Sequence, residues 1–164
     1  MEHSKLNTKS GHIAAVSISD KKGMKKRNVE SIKLKENVGI IGDAHAGPGI
    51  RQVSLLAEES IEKMRAKGLK VSAGDFAENI TSRGIDLLCL KVNDRLKVGE
   101  AAVLEVTQFG KECHARCEIY YQAGDCVMPK EGVFARVLKG GVVKSGDAID
   151  VIEGMQGNVD RAGA

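Results

Sequence analysis

Arg95-Leu96-Lys97-Val98, a turn at Gly99-Glu100, and then Ala101-Ala102-Val103-Leu104-Glu105-Val106-Thr107 form the stretch on which the fold reading rests. Apolar and polar residues alternate on both sides of the turn, so each arm can bury one face and wet the other, as a β-hairpin does. The same period of two runs through His12-Ile13-Ala14-Ala15-Val16-Ser17-Ile18 and through Val29-Glu30-Ser31-Ile32-Lys33-Leu34. Further on, Gly132 to Leu138, Val142-Val143 and Ala148 to Ile152 read as three more strand pieces, with corners at Gly140-Gly141 and Gly146-Asp147. The chain carries 19 glycines in 164 residues but only 2 prolines. That glycine share exceeds the ordinary value of about 7%, so the chain turns often and mainly with glycine.

One stretch breaks the pattern. Ala57-Glu58-Glu59-Ser60-Ile61-Glu62-Lys63-Met64-Arg65-Ala66-Lys67-Gly68 places acids at its start, bases at its end and glycine after it, which predicts a helix. Its apolar stripe of Ala57, Ile61 and Met64 is narrow, so the helix is expected on the outside of a sheet with one face buried. A second, shorter helix is expected from about His114 to Gln122. Strands with glycine corners and few helices between them favour a mainly β (α+β) fold, a barrel or strongly curved sheet with one longer and one or two short outer helices. The length suits one domain, read over residues 12–153, with residues 1–11 and 154–164 expected to fray.

Composition narrows the function. Lys+Arg at 25 against Asp+Glu at 22 leaves a net charge of +3, too mild for a nucleic-acid binder that relies on a basic face. With aromatics at 3% and no Trp, stacking platforms for bases are not expected either. The N-terminus opens polar, and no stretch approaches the roughly 18 apolar residues of a membrane span. A soluble cytoplasmic protein with reduced thiols is therefore expected. The basic run Lys21, Lys22, Lys25, Lys26 and Arg27 reads as a solvated loop.

Three clusters carry chemistry. In Gly42-Asp43-Ala44-His45-Ala46-Gly47-Pro48-Gly49-Ile50-Arg51, an acid, an imidazole and a guanidinium share one loop. Glycines let backbone N–H groups approach an anion, and Arg51 can fork onto a phosphate. The same residues also suit a surface turn capped by Asp43. Gly74-Asp75-Phe76-Ala77-Glu78-Asn79 offers Glu78 and Asn79 before the strand led by Ile80-Thr81, and locally reads as an Asx-type turn. The third cluster, Thr107-Gln108-Phe109-Gly110-Lys111-Glu112-Cys113-His114-Ala115-Arg116-Cys117, follows the hairpin. Lys111, His114 and Arg116 around Cys113 favour the thiolate, which attacks electrophiles or ligates a soft metal. Cys89, in the apolar run Leu87-Leu88-Cys89-Leu90, reads instead as buried and inert. A zinc or iron-sulfur module built on Cys113, Cys117, Cys126 and His114 is the non-catalytic alternative, although three and eight intervening residues match no tight Cys-x-x-Cys knuckle.

Taken in order, these blocks resemble the MOSC domain, the module named for the C-terminal part of molybdenum-cofactor sulfurases. They are Gly42 to Gly47 with Arg51-Gln52-Val53-Ser54-Leu55-Leu56, Gly74 to Asn79, Val106-Thr107-Gln108 leading to Cys113, Glu131-Gly132-Val133-Phe134-Ala135-Arg136-Val137, and Gly146-Asp147. The likeness spans roughly residues 12–153. It implies a strand-rich barrel and a key cysteine at Cys113, either ligating molybdenum of the molybdopterin cofactor or carrying sulfur to it as a persulfide. Arg51, Lys111 and Arg116 are then the phosphate partners. Asp43, His45, Glu78 and Asn79 line the pocket, Thr107 and Gln108 shape the cysteine loop, and His45 or His114 supplies a proton.

The implied cofactor is the molybdenum cofactor; pyridoxal phosphate is expected only on fused sulfurase relatives. The implied partners are the cofactor's biosynthetic and acceptor enzymes. The alternative activity is a molybdenum-dependent reductase of N-hydroxylated compounds fed by an external electron-donor protein, since no Gly-x-Gly-x-x-Gly fingerprint is present. Cys117 and Cys126 could resolve a persulfide or sulfenate on Cys113.

Overall fold

The hairpin forms as its alternation requires. Arg95–Val98 and Ala102–Phe109 pair antiparallel with Leu96 opposite Leu104 and Val98 opposite Ala102. All four are fully buried, while Lys97 between them faces out. The computed structural model describes residues 6, 8–22, 24–110 and 131–152. In chain order its elements are β1 (Ser10–Ile18), β2 (Arg27–Val29), β3 (Ser31–Lys35), β4 (Gly39–Ile40), β5 (Val53–Ala57), α1 (Glu58–Ala66), β6 (Ile80–Arg83), β7 (Arg95–Val98), β8 (Ala102–Phe109), β9 (Val133–Lys139), β10 (Gly141–Lys144) and β11 (Ala148–Val151). A 3-10 turn covers Leu87–Cys89.

Seven strands close on themselves in the order β1, β6, β5, β9, β8, β7, β11 and back to β1. The closing seam pairs Ser10 with Asp150 and His12 with Ala148. Closure leaves the barrel without a free edge. Lys9 to Gly11, outside the domain as read from sequence, thus belong to the seam, where the Lys9 carbonyl also accepts from Val151 N–H at 2.8 Å. The interior is filled by Ile13, Val16, Val53, Leu55, Ile80, Leu104, Val106, Val133, Val137 and Ile149, with Ile32, Leu34, Ile40 and Val143 of a small three-stranded sheet in the same cluster.

Two departures from the alternation reading have clear causes. The expected strand Val29 to Leu34 is two strands in two sheets: Val29 pairs with Val16 of β1, whereas Ser31 pairs with Lys144 of β10. The chain changes sheets at Glu30. β5 shows no alternation because both its faces are buried. Val53 and Leu55 point into the barrel, and Leu56 joins an outer cluster with Ile61, Met64, Leu69, Val71, Phe76 and Phe134. Such a strand reads as a continuous apolar run.

Helix α1 covers that outer cluster and bridges β5 to β6, the one parallel pair among the described strands. Ile61 and Met64 are 0% and 1% exposed. Burying each contributes roughly 1.5–3 kcal/mol, which docks a helix too short to persist alone. Arg83 of β6 fixes its far side by pairing with Glu58 and Glu62 at 3.1 and 3.2 Å. Cys89 corrects the sequence reading: it is exposed, because the 3-10 turn tucks Leu87 inward and leaves Leu88 and Cys89 outside. Its thiol donates to Asp86 Oδ2 at 3.0 Å, and Asp86 pushes its pKa up, away from thiolate.

Candidate functional site

The loop from Ile41 to Gln52 links the small sheet to β5 and carries Asp43, His45 and Arg51. At its start, Asp43 turns inward. Its Oδ1 accepts from Ser19 N–H at 3.0 Å and from Lys26 Nζ at 2.9 Å, and its Oδ2 accepts from His45 N–H at 3.0 Å. Burial pushes the Asp43 carboxyl up. The Lys26 ammonium and the N–H groups of His45 and Ser19 outweigh it and hold the carboxyl well below its ordinary 3.8.

Lys26 is the residue that sequence reasoning misplaced. Read as part of a solvated run, it has a side chain 0% exposed, whereas Lys21, Lys22, Lys25 and Arg27 are exposed as expected. All three ammonium protons find acceptors: Asp43 Oδ1, Ser19 Oγ at 2.9 Å and His45 Nδ1 at 3.1 Å. A buried ammonium needs such a set. Composition could not single out Lys26 among its basic neighbours, because its acceptors come from Ser19, Asp43 and His45 across the loop.

The second cluster backs onto this one. Lys26 N–H donates to the Gly74 carbonyl at 2.8 Å, and Gly74 N–H donates to Glu78 Oε2 at 2.8 Å. A Cβ at Gly74 would stand 2.4 Å from the Lys26 carbonyl, and φ there is +91°, so only glycine fits. Glu78 also accepts from Thr81 Oγ at 2.6 Å and Phe76 N–H at 3.2 Å. Its burial exceeds what these donors offset and pushes its pKa up. Asn79, just before β6, ties β5 to β1: Oδ1 accepts from Ser54 N–H and Oγ, and Nδ2 donates to the Ser17 carbonyl. Glu78 and Asn79 are 0% exposed, so both act behind the loop, holding its base.

At the other end of the loop, Thr107 of β8 donates its hydroxyl to the carbonyl of Ile50 and, at 3.1 Å, lies equally within reach of that of Phe134. The exposed Arg51 guanidinium lies over the Phe134 ring, 5.9 Å from its centroid. Gln108 Nε2 donates to the Gly110 carbonyl at 2.8 Å, and Gly110 N–H donates to the Gly132 carbonyl at 2.7 Å. The structure therefore joins Arg51 to Thr107, and Glu78 through Gly74 and Lys26 to Asp43 and His45. Lys111, Cys113, His114, Arg116, Cys117, Cys126 and the expected helix from His114 to Gln122 lie outside the described residues. Among the described residues, no cluster of three or more His, Cys, Asp or Glu could hold a metal ion, and no helix is long and apolar enough to cross a membrane.

A family model described as the MOSC domain matches residues 42–150. Among solved structures, the YuaD protein from Bacillus subtilis is similar at TM-score 0.73 and 19% identity, over 90% of this chain and 98% of that one. YiiM from Escherichia coli gives TM-score 0.62 at 18% identity, over 87% and 70% of the two chains. YiiM from Geobacillus stearothermophilus gives 0.63 at 19%, over 87% and 75%. At these identities the likeness is one of fold. No curated protein matches the chain.

Proposed function

The chain belongs to the MOSC domain family, which is associated with molybdenum-cofactor binding and sulfur transfer, and from this premise we propose that it binds that cofactor or carries sulfur to it through Cys113. The observation that carries the reading is the seat of Arg51. Thr107 holds the Ile50 carbonyl, so the guanidinium stands beside the end of β8, the strand that Cys113 follows four residues later in the sequence.

The described residues fit an anionic pterin phosphate. Arg51 supplies a fork of charged donors that suits phosphate. At Gly47 and Gly49 a Cβ would meet nothing within 4 Å, which leaves the loop backbone open to a ligand. His45, with a side chain 17% exposed, belongs to the same loop. Arg51, His45 and the loop backbone would hold the phosphate, with Lys111 and Arg116 as further partners. When bound, the cofactor supplies a molybdenum centre for sulfur acceptance or two-electron transfer. The chain's own part is to orient the phosphate and present the Cys113 thiolate.

The test uses protein made in a host that synthesises the cofactor, measuring molybdenum content together with intact mass before and after reduction. Near-stoichiometric molybdenum, lost in Cys113→Ala and lowered in Arg51→Ala, is expected of a cofactor holder. A reducible one-sulfur increment on Cys113 without metal is expected of a sulfur carrier. Neither signal, or stoichiometric zinc in their place, overturns the reading. Turnover of N-hydroxylated compounds with an artificial electron donor, absent in Cys113→Ala, would extend it to a reductase.

A further inference from the structure

We infer that Lys26 is a positioning residue that fixes His45 with its ring proton on Nε2, so that the loop offers its ligand a neutral hydrogen-bond donor.

The geometry decides between two partners for Nδ1. Asp43 Oδ2 lies 3.6 Å from it, beyond hydrogen-bond range, whereas Lys26 Nζ lies 3.1 Å away. An ammonium has donors and no acceptor, so the imidazole nitrogen facing it must accept. The proton of the neutral ring then sits on the other nitrogen, Nε2. Asp43 is already committed: Oδ1 serves Ser19 N–H and Lys26, and Oδ2 serves His45 N–H. The carboxylate thus orients the ammonium and the backbone of His45, and the ammonium orients the ring.

The arrangement departs from the usual one, in which a carboxylate takes the Nδ1–H of a histidine and leaves Nε2 as a base. Here the inner partner is a cation, and the polarity of the ring is reversed. Nε2–H becomes a donor, suited to an anionic oxygen and unsuited to accepting a proton from substrate. The part that sequence analysis gives His45, supplying a proton, becomes one of donating a hydrogen bond. Lys26 touches no ligand in this account; it acts through His45.

That the ligand is anionic rests on the proposed function, whereas the tautomer does not. The experiment is nitrogen-15 NMR of the imidazoles of the full chain, with His45→Gln to assign the resonance among the four histidines. The expected result is a His45 ring with a protonated Nε2 and an acceptor-type Nδ1, and loss of that single tautomer in Lys26→Met. A ring with its proton on Nδ1, or an unchanged ring in a folded Lys26→Met, overturns the inference. If Lys26→Met fails to fold, the unaltered protein decides: Lys26 ammonium protons protected from exchange and correlated with His45 Nδ1 support the role, and their absence removes it. Inorganic phosphate is then titrated in. Movement of the Nε2–H resonance supports both readings, whereas an Nε2–H ring indifferent to phosphate supports the positioning role and counts against the anionic ligand.

Discussion

Lys26 Nζ and Asp43 Oδ1 lie 2.9 Å apart with neither side chain exposed to solvent. A buried pair of this kind adds little net stability against an apolar replacement, but removing one partner strands the other. Lys26→Met is therefore expected to cost about 3–5 kcal/mol by leaving the Asp43 carboxylate uncompensated. Adding Asp43→Asn removes that charge while keeping an acceptor for Ser19 N–H, so the double variant should be more stable than Lys26→Met alone. Urea unfolding of the natural protein, both single variants and the double variant checks this. A double variant with the summed loss of both singles would show that the pair does not act as a unit.

Glu78 and Asp43 respond to pH with opposite sign. Burial holds the Glu78 carboxyl above its ordinary 4.5, so the folded state binds that proton more tightly than the unfolded chain does. Its contribution is complete below 4.5 and is lost as pH rises through the folded value. Asp43, held below 3.8, contributes fully above that value and loses its contribution as pH falls. Glu78→Gln stays neutral throughout, and its amide oxygen can still accept from Gly74 and Thr81. Measured by urea midpoints, the variant should gain on the natural protein steadily as pH rises from 4.5. A difference that does not change with pH would show that burial does not raise the carboxyl.

The strands were legible because their outer faces are wet. Lys97 on the barrel and Lys33 and Lys144 on the small sheet alternate with buried neighbours, and that period survives in the sequence. β5 hid because α1 dries its outer face, and the break at Glu30 is marked in the sequence only by the two successive polar residues Glu30 and Ser31, which shift the period by one residue. At the site, the loop glycines and Arg51 announce themselves by residue type. Lys26 does not, since its burial is set by Ser19, Asp43 and His45, up to nineteen positions away in sequence. Cys89 misleads in the opposite direction, because an apolar run of four residues wound into a 3-10 turn cannot bury every side chain.

Asn79 joins β1 and β5 at the point where β6 begins. Asn79→Ala leaves the Ser54 N–H and the Ser17 carbonyl without their side-chain partner in a fully buried setting. At roughly 1–3 kcal/mol for each stranded buried group, a loss of about 2–4 kcal/mol is expected. Asn79→Asp restores the acceptor for Ser54 but buries a carboxylate against the Ser17 carbonyl, so at neutral pH it should be no more stable than the alanine variant. Thermal or urea unfolding gives the order; an alanine variant as stable as the natural protein would mean that water replaces the missing amide.

Thr107 ties the loop to the barrel at one atom, its hydroxyl, which reaches the carbonyls of both Ile50 and Phe134. Valine keeps the shape and removes the donor. Because the contact is only partly buried, Thr107→Val should cost no more than about 0.5–1.5 kcal/mol globally. Locally the consequence is larger, since the next residue is the exposed Arg51 and its carbonyl side is a trypsin site once the backbone can extend. Cleavage after Arg51 in the native protein is therefore expected to accelerate well beyond what the small global loss allows, while Arg51→Ala abolishes the cut and identifies it. Under the proposed function the same variant should retain less molybdenum cofactor, because a guanidinium no longer seated over Phe134 must be ordered again when phosphate binds. Cleavage at the natural rate, with cofactor retention unchanged, would show that the loop keeps Arg51 in place without Thr107.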